Sequence, residues 1–150
     1  MSTRFAVVVL GACMVVGCRS AHEEKSAAPP APAVAATQEA SIKLASVEQV
    51  AQYVKERSAT VVDANGAETR QAYGVIPGAV LLSSHRDYAL SELPATRSNK
   101  LVFYCGGTMC RASDKAASRA VAAGYTDVSV LRDGIKGWKT AGQPIEMPRS

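Results

Sequence analysis

The sequence lacks several features that would assign it to a broad class of protein. It has no run of about 20 apolar residues, the length that a membrane-spanning helix needs; the apolar stretch at residues 5–17 has 13. It has no internal repeat and no basic run, although 17 Lys and Arg stand against 13 Asp and Glu. Nucleic-acid-binding domains usually concentrate Lys and Arg on one face, so we expect no nucleic-acid partner. At 150 residues the chain is too short for two full cores, which predicts one domain, and we expect it to be a monomer.

Cysteine and histidine are also scarce, with four and two residues. Cys105 and Cys110 lie close in sequence, but no convincing His and no further Cys accompany them, which makes a zinc site a poor interpretation. The sequence therefore suggests neither a metal nor another cofactor.

The N-terminus has the pattern of a secretory signal: a short positive start, the apolar residues 5–17 and then polar residues. The Val-Val-Gly-Cys of residues 15–18 resembles the lipobox of bacterial lipoproteins. The resemblance implies that residues 1–18 contain a signal peptide cleaved before Cys18, and that Cys18 carries a lipid. Cys13 fits the pattern less well, because it leaves a very short apolar region. The alternative is an uncleaved anchor or an ordinary signal peptide.

Residues 19–40 consist mainly of Ala, Pro, Ser and Glu, which cannot bury enough apolar surface to offset the entropy of ordering. We interpret them as a disordered tether. Together with the lipid, the tether predicts a domain at residues 41–150 that is attached to a membrane of the bacterial cell envelope. The domain would face the periplasm or the exterior.

The domain itself has an α/β pattern. A capping box at Ser46 begins an amphipathic helix, and a second helix begins at about Ser113. Short apolar runs predict four strands, at residues 59–64, 79–82, 100–104 and 127–131. Strands alternating with helices predict a small central parallel sheet flanked by helices on both faces.

The segment that carries chemistry follows the strand at residues 100–104. Ligands of open α/β sheets bind beyond the carboxyl ends of the strands, so Cys105 is at the functional edge. Small residues leading into a helix can turn several amides toward an anion, and the helix dipole also favours a thiolate. Arg111 could add positive charge. We therefore predict Cys105 as a nucleophile and an anion-binding loop of Gly106, Gly107, Thr108, Met109, Cys110 and Arg111.

Four separated segments resemble a rhodanese domain: Val-Val-Asp-Ala at 61–64, Gly-Val-Ile-Pro-Gly-Ala-Val at 74–80, Leu-Val-Phe-Tyr-Cys at 101–105, and the Asp-Gly-Ile-Lys-Gly-Trp of residues 133–138 with the seven residues after it. The resemblance implies a rhodanese-like fold and a sulfurtransferase activity. Cys105 would take sulfur from a small anionic donor such as thiosulfate, hold it as a persulfide, and pass it to a thiol acceptor.

The loop departs from the common rhodanese pattern, because Thr108 stands at the usual Gly position and Cys110 at the usual Arg position. Cys110 could form a disulfide with Cys105 if their Cα atoms come within about 7 Å, resolve a persulfide, or simply pack beneath the loop. A non-catalytic or redox-sensing module is thus an alternative function. The spacing of Cys105 and Arg111 also fits a cysteine phosphatase or arsenate reductase of rhodanese fold, although the loop has no Asp or Glu as general acid.

The sequence also departs from the rhodanese pattern after the second strand, where the family's usual Asp-x-Arg is here Asp63, Ala64 and Asn65. In addition, Tyr104 replaces the usual His before the cysteine. We predict that Asp63 supports the scaffold as a hydrogen-bond partner.

Overall fold

The computed structural model of the protein describes residues 41–148. The predicted signal peptide, the lipidation at Cys18 with its alternative Cys13, and the tether all lie outside the described residues. Within residues 41–148, no helix has the length and apolar character needed to cross a bilayer.

The domain is built around five parallel strands in the order β1-β5-β4-β2-β3. The strands are β1 (Lys43–Ala45), β2 (Thr60–Asp63), β3 (Val80–Leu81), β4 (Leu101–Tyr104) and β5 (Val128–Leu131). The helices are α1 (Val47–Glu56), α2 (Ala67–Tyr73), α3 (Ala112–Ala122) and α4 (Gly134–Thr140), with a 3₁₀ turn at Leu90–Glu92. The predicted α/β fold is confirmed.

Helix α1 begins as its sequence predicts. The Ser46 amide donates to Gln49 Oε1 at 2.9 Å, and the Gln49 amide donates to Ser46 Oγ at 3.3 Å. This capping box satisfies two of the amides that a helix N-terminus leaves without partners.

The central strand β4 is buried on both faces and divides the core into two layers. Leu101 and Phe103 pack with α3 on one face, whereas Val102 and Tyr104 pack with α1 and α4 on the other. This alternation is the two-residue period of a strand. Trp138 of α4 is fully buried in the second layer, and its Nε1 donates to the Pro144 carbonyl at 2.7 Å.

Besides the 3₁₀ turn, three elements were not predicted: β1, α2 and α4. Strand β1 is a three-residue edge strand with only Ala45 buried, and α2 has no buried residue at all. Neither element carries the apolar periodicity on which a sequence-based prediction depends. Asn65 and Gly66, which follow β2, lead directly into α2, with Gly66 at its N-cap.

Candidate functional site

Cys105 directly follows the central strand of the sheet. The register places Asp63 of β2 and Leu131 of β5 beside Tyr104, so the loops after all three strands meet at one edge. This is the edge where parallel α/β sheets bind ligands. We refer to residues 105–111 as the Cys105 loop.

The side chain of Cys105 is buried beneath the start of α3, with 1% of the residue exposed. Its Sγ lies 3.3 Å from Oγ of Ser113, itself a buried residue in the first turn of that helix. A hydroxyl at this distance can donate a hydrogen bond to a thiolate. The sequence analysis placed the start of a helix at Ser113 but did not predict it as a site residue. The signal that could have identified it is a hydroxyl side chain in the first turn of the helix that follows the loop.

Cys105 and Cys110 are joined by a disulfide, and their Cα atoms are 6.3 Å apart. The sequence left this pairing open as one of several roles for Cys110. A turn brings the two residues together, because the Cys110 amide donates to the Gly107 carbonyl at 2.9 Å. Thr108 and Met109 form the tip of that turn, and Met109 is 92% exposed.

The backbone of the Cys105 loop offers unused hydrogen-bond donors. Within residues 41–148, no acceptor is found for five of its amides, those of Gly106, Gly107, Thr108, Met109 and Arg111. The amide of Cys110 is the exception among the predicted anion-binding residues, since it is engaged in the turn. Free amides beside a helix N-terminus are suited to an anion.

Helix α4 holds the other side of the loop. The Ile135 amide donates to the Cys105 carbonyl at 2.8 Å, and the Lys136 amide donates to the Gly106 carbonyl at 3.2 Å. Gly134 has a φ of +59°, and a Cβ there would overlap the Cys105 carbonyl oxygen and lie 2.6 Å from the Gly107 nitrogen. Only glycine therefore fits this close approach.

The sequence suggested that Arg111 adds positive charge to the anion-binding loop, and the structure shows which charged groups surround it. The guanidinium of Arg111 is exposed and lies 3.3 Å from a carboxylate oxygen of Asp114, which also pairs with Arg132 at 2.6 Å. Lys136 was not predicted, yet it lies against the loop: a Cβ placed on Gly107 would be 3.8 Å from Lys136 Cδ. Its Nζ is 5.0 Å from the ring of Tyr73.

A second group of polar residues occupies the same edge of the sheet, on the opposite face from Cys105. Asp63 is fully buried; its Oδ1 accepts from the Asn65 amide at 2.6 Å, and its Oδ2 accepts from the Tyr104 hydroxyl at 2.7 Å. The Tyr104 hydroxyl in turn accepts from the Ile76 amide at 3.1 Å. We call Asp63, Arg70, Tyr104 and the amides of Asn65 and Ile76 the Asp63 cluster.

Arg70 supplies the positive charge of this cluster. Its Nε lies 3.5 Å from Asp63 Oδ1, and its Nη2 donates to the carbonyls of Asp63 and Leu82 at 3.1 and 2.9 Å. Asn65 stands where the family usually has an arginine. Arg70 of α2, a helix that was not predicted, supplies a guanidinium to Asp63 instead. Burial, followed by the charge and hydrogen bond of Asp63, raises the pKa of Tyr104 well above its ordinary value, and its hydroxyl stays protonated.

The rhodanese-like domain family matches residues 46–141, which is more than half of the chain. None of the curated proteins matches it significantly.

Solved structures support the same assignment at the level of the fold. The rhodanese-like domain of a protein from Anabaena is 22% identical with a TM-score of 0.60, covering 72% of this chain and 81% of that one. A protein of unknown function from Rhodopseudomonas palustris, described as a possible tyrosine phosphatase, is 24% identical with a TM-score of 0.58, covering 70% of this chain and 85% of that one.

A third structure belongs to an enzyme of known activity. The thiosulfate sulfurtransferase of Pseudomonas aeruginosa is 23% identical with a TM-score of 0.59, and the match covers 73% of this chain but only 21% of that one. At these identities the structures establish the fold and not the activity. With the family match across residues 46–141, they show that this chain belongs to the rhodanese-like domain family.

Proposed function

We propose that the protein is a sulfurtransferase in which Cys105 takes sulfane sulfur from a small anionic donor such as thiosulfate and passes it to a thiol. The observation that carries the proposal is the position of Cys105 in this family's fold. It follows the central strand, its Sγ contacts the Ser113 hydroxyl, and it begins a loop in which five amides have no acceptor within residues 41–148.

These surroundings favour the chemistry of a nucleophilic thiolate. Cys105 precedes the N-terminus of α3, an eleven-residue helix, where the helix dipole stabilises negative charge. The Ser113 hydroxyl can donate to the reduced thiolate and then to the persulfide that replaces it. Covalent catalysis of this kind needs the sulfur to be stabilised both before and after loading.

The donor's anionic end would bind the free amides of the Cys105 loop. Lys136 is a second candidate for this binding beside Arg111, because its side chain lies against Gly107, whereas Arg111 shares Asp114 with Arg132. When the Cys105 thiolate attacks the outer sulfur of thiosulfate, sulfite leaves with the electron pair of the broken sulfur–sulfur bond. The persulfide on Cys105 is then open to attack at its outer sulfur by an acceptor thiol.

The test uses the purified full chain, reduced and then freed of reductant under anaerobic conditions. With thiosulfate we expect one sulfite per chain from the wild type. The Cys110→Ser variant should show a gain of about 32 Da on Cys105 in intact mass, the mass of one sulfur atom transferred by nucleophilic attack. Cys105→Ser is the matched control and should give neither product. A Cys110→Ser chain that yields no sulfite and no adduct with thiosulfate or polysulfide would contradict the proposal.

The disulfide favours a second candidate, a redox-sensing module without sulfur transfer. Under this function the Cys105–Cys110 bond forms in an oxidising thiol buffer, yet no sulfite appears with thiosulfate. Turnover of an aryl phosphate or of arsenate by the reduced chain would instead identify the phosphatase or arsenate reductase activity that the spacing of Cys105 and Arg111 allows.

The proposal includes attachment of the domain to a bacterial envelope membrane through a lipid on Cys18. The lipobox resemblance is its support. Lipid labelling of the chain in a bacterial host, lost on Cys18→Ser and kept on Cys13→Ser, is the expected result; the reverse pattern would move the lipid to Cys13.

A further inference from the structure

Cys110 is held where it can react with the sulfur of Cys105. The turn closed by the hydrogen bond from the Cys110 amide to the Gly107 carbonyl brings the two Cα atoms to 6.3 Å, within the range that a disulfide requires. Cys110 packs against the same core layer that contains Cys105. The two sulfurs therefore meet without any rearrangement of the sheet or of α3.

The two cysteines differ in access. Cys105 is 1% exposed, whereas Cys110 is half-buried. A bulky acceptor thiol has poorer access to the Sγ of Cys105 than a small anion such as thiosulfate, but a thiol five residues away in the same loop reaches it directly. An intramolecular thiol also acts at a high effective concentration, of the order of millimolar or more.

We propose that Cys110 is a resolving cysteine, so that, where no acceptor thiol takes the sulfur first, the protein releases it as hydrosulfide and a dithiol supplies the electrons. The inference rests on the proposed persulfide of Cys105. In the resolving step the Cys110 thiolate attacks the Sγ of the Cys105 persulfide. A bond forms between the two cysteine sulfurs, the bond from Cys105 Sγ to the sulfane sulfur breaks, and hydrosulfide leaves with the electron pair and the persulfide proton.

The electrons balance within this step. The two cysteine sulfurs are oxidised to the disulfide, and the sulfane sulfur is reduced to sulfide. In the disulfide form the Cys105 Sγ is already bonded to a second sulfur, so it cannot accept another sulfur atom. Each turnover therefore needs an external dithiol, which becomes a disulfide while Cys105 and Cys110 are returned to thiols.

The difference in access also predicts which sulfur the dithiol attacks. The Sγ of Cys110 is the more exposed of the two. Attack there releases Cys105 as the leaving thiolate, next to Ser113 and the start of α3. The mixed disulfide formed during reduction should therefore be on Cys110.

The test measures sulfite and sulfide separately in the reduced, reductant-free full chain, kept anaerobic and given thiosulfate but no thiol. The wild type should release one sulfite and one sulfide per chain. Its loop peptide should become about 2 Da lighter, the mass of the two hydrogens lost when a disulfide forms, and only when thiosulfate is present. Cys110→Ser should release sulfite, keep the sulfur on Cys105 and release at least about 100-fold less sulfide, because the intramolecular thiol has been removed. Both chains have the same N-terminal region, so the difference in sulfide release reports on Cys110 alone.

The outcomes separate this inference from the proposed function. A wild-type chain that keeps a stable persulfide on Cys105, or that carries the extra sulfur on Cys110, overturns the resolving step while sulfur transfer stands. A Cys110→Ser chain that releases no sulfite overturns both. The reduction of the disulfide is tested with a dithiol protein in which one of the two reactive cysteines has been replaced. Its remaining cysteine should form a stable mixed disulfide with Cys110, and a mixed disulfide with Cys105 would contradict the predicted direction of attack.

Discussion

Tyr104 and Cys105 are consecutive residues, but the regions that they enter differ in how their polar groups are used. Tyr104 faces the α1 and α4 layer and joins the Asp63 cluster, where both carboxylate oxygens of Asp63 have partners. Cys105 faces the α3 layer and begins a loop in which five amides have no acceptor within the described residues. Because a buried carboxylate costs free energy unless it is paired, these contacts stabilise the first region, although Nε of Arg70 and Nδ2 of Asn65 are buried there without a hydrogen-bond partner within residues 41–148. The second keeps donors free for a ligand.

The comparison also explains why the departures from the rhodanese pattern fall into two kinds. In the Asp63 cluster the missing arginine is replaced in space, since Arg70 of α2 reaches the carboxylate, while Nδ2 of Asn65 has no hydrogen-bond partner among the described residues. In the Cys105 loop, Cys110 stands at the usual Arg position, and this change is not compensated in the same way. It introduces a new reactive group next to the nucleophile. A change that is compensated preserves the scaffold, whereas one that adds a thiol alters the chemistry.

The largest effect on stability is expected from Asp63→Ala. The change leaves the guanidinium of Arg70 without its counter-charge and removes the acceptor of the Tyr104 hydroxyl and of the Asn65 amide. Breaking a buried pair on one side typically costs about 3–5 kcal/mol in the free energy of unfolding. Asp87→Ala is the matched control, because Asp87 is exposed, and such changes usually stay within about 0.5 kcal/mol.

Urea unfolding of both variants measures the difference. If Asp63→Ala does not fold, Asp63→Asn takes its place, because it keeps an acceptor oxygen. The Asp63→Asn variant should unfold at a lower urea concentration than Asp87→Ala. Equal midpoints for these variants would show that the Asp63 cluster adds no stability.

The next effect concerns the contact that ties the Cys105 loop to α4. In Gly134→Ala the new Cβ would displace the carbonyl of Cys105 and the backbone of Gly107, and we expect sulfur loading from thiosulfate to slow about 100-fold, as is typical when a reacting group moves by about 1 Å. Gly78→Ala is the control: Gly78 has a φ of +73°, but a Cβ there would meet nothing within 4 Å. It should cost only about 1 kcal/mol of stability from the left-handed backbone and leave the loading rate unchanged.

The rate of sulfite release from the first turnover measures both variants. Equal slowing in both would mean that backbone strain alone, and not the overlap with the Cys105 loop, controls the site. Unchanged loading in Gly134→Ala would show that α4 does not set the position of Cys105.

Much of this arrangement was accessible from the sequence, for reasons that particular residues make clear. The continuous apolar run of β4 and the capping box of Ser46 are local signals, and they predicted the central strand, α1 and the position of Cys105 correctly. Arg70 contacts Asp63 from α2, and Lys136 lies against Gly107 from α4; neither short helix was predicted, so no local pattern marks these two residues. The contact of Cys105 with Ser113 depends on how α3 lies over the sheet, which is a property of packing.

The smallest effect is expected from Tyr104→Phe, and its pH dependence distinguishes the cluster from ordinary packing. At pH 8 the change leaves the Ile76 amide without its acceptor and Asp63 without one donor, at a cost of about 1–3 kcal/mol. In the wild type, burial and Asp63 raise the pKa of Tyr104, so its hydroxyl stays protonated in the folded state while the unfolded chain ionises above about pH 10. The stability that Tyr104 contributes is thus fully present below pH 10 and falls by about 1.4 kcal/mol per pH unit above it.

The cost of Tyr104→Phe should therefore shrink by about 1.4 kcal/mol between pH 8 and pH 11, since the phenylalanine variant has lost the group that ionises. Urea unfolding at the two pH values measures it, in a background of Cys105→Ser and Cys110→Ser that removes the two thiols of the Cys105 loop. Tyr53→Phe, at a half-buried position on α1, is the control for the loss of a tyrosine hydroxyl outside the cluster. A cost for Tyr104→Phe that stays constant from pH 8 to pH 11 would mean that Tyr104 ionises equally in both states. The hydrogen bond from Tyr104 to Asp63 would then not explain why the Asp63 cluster adds more stability than the Cys105 loop.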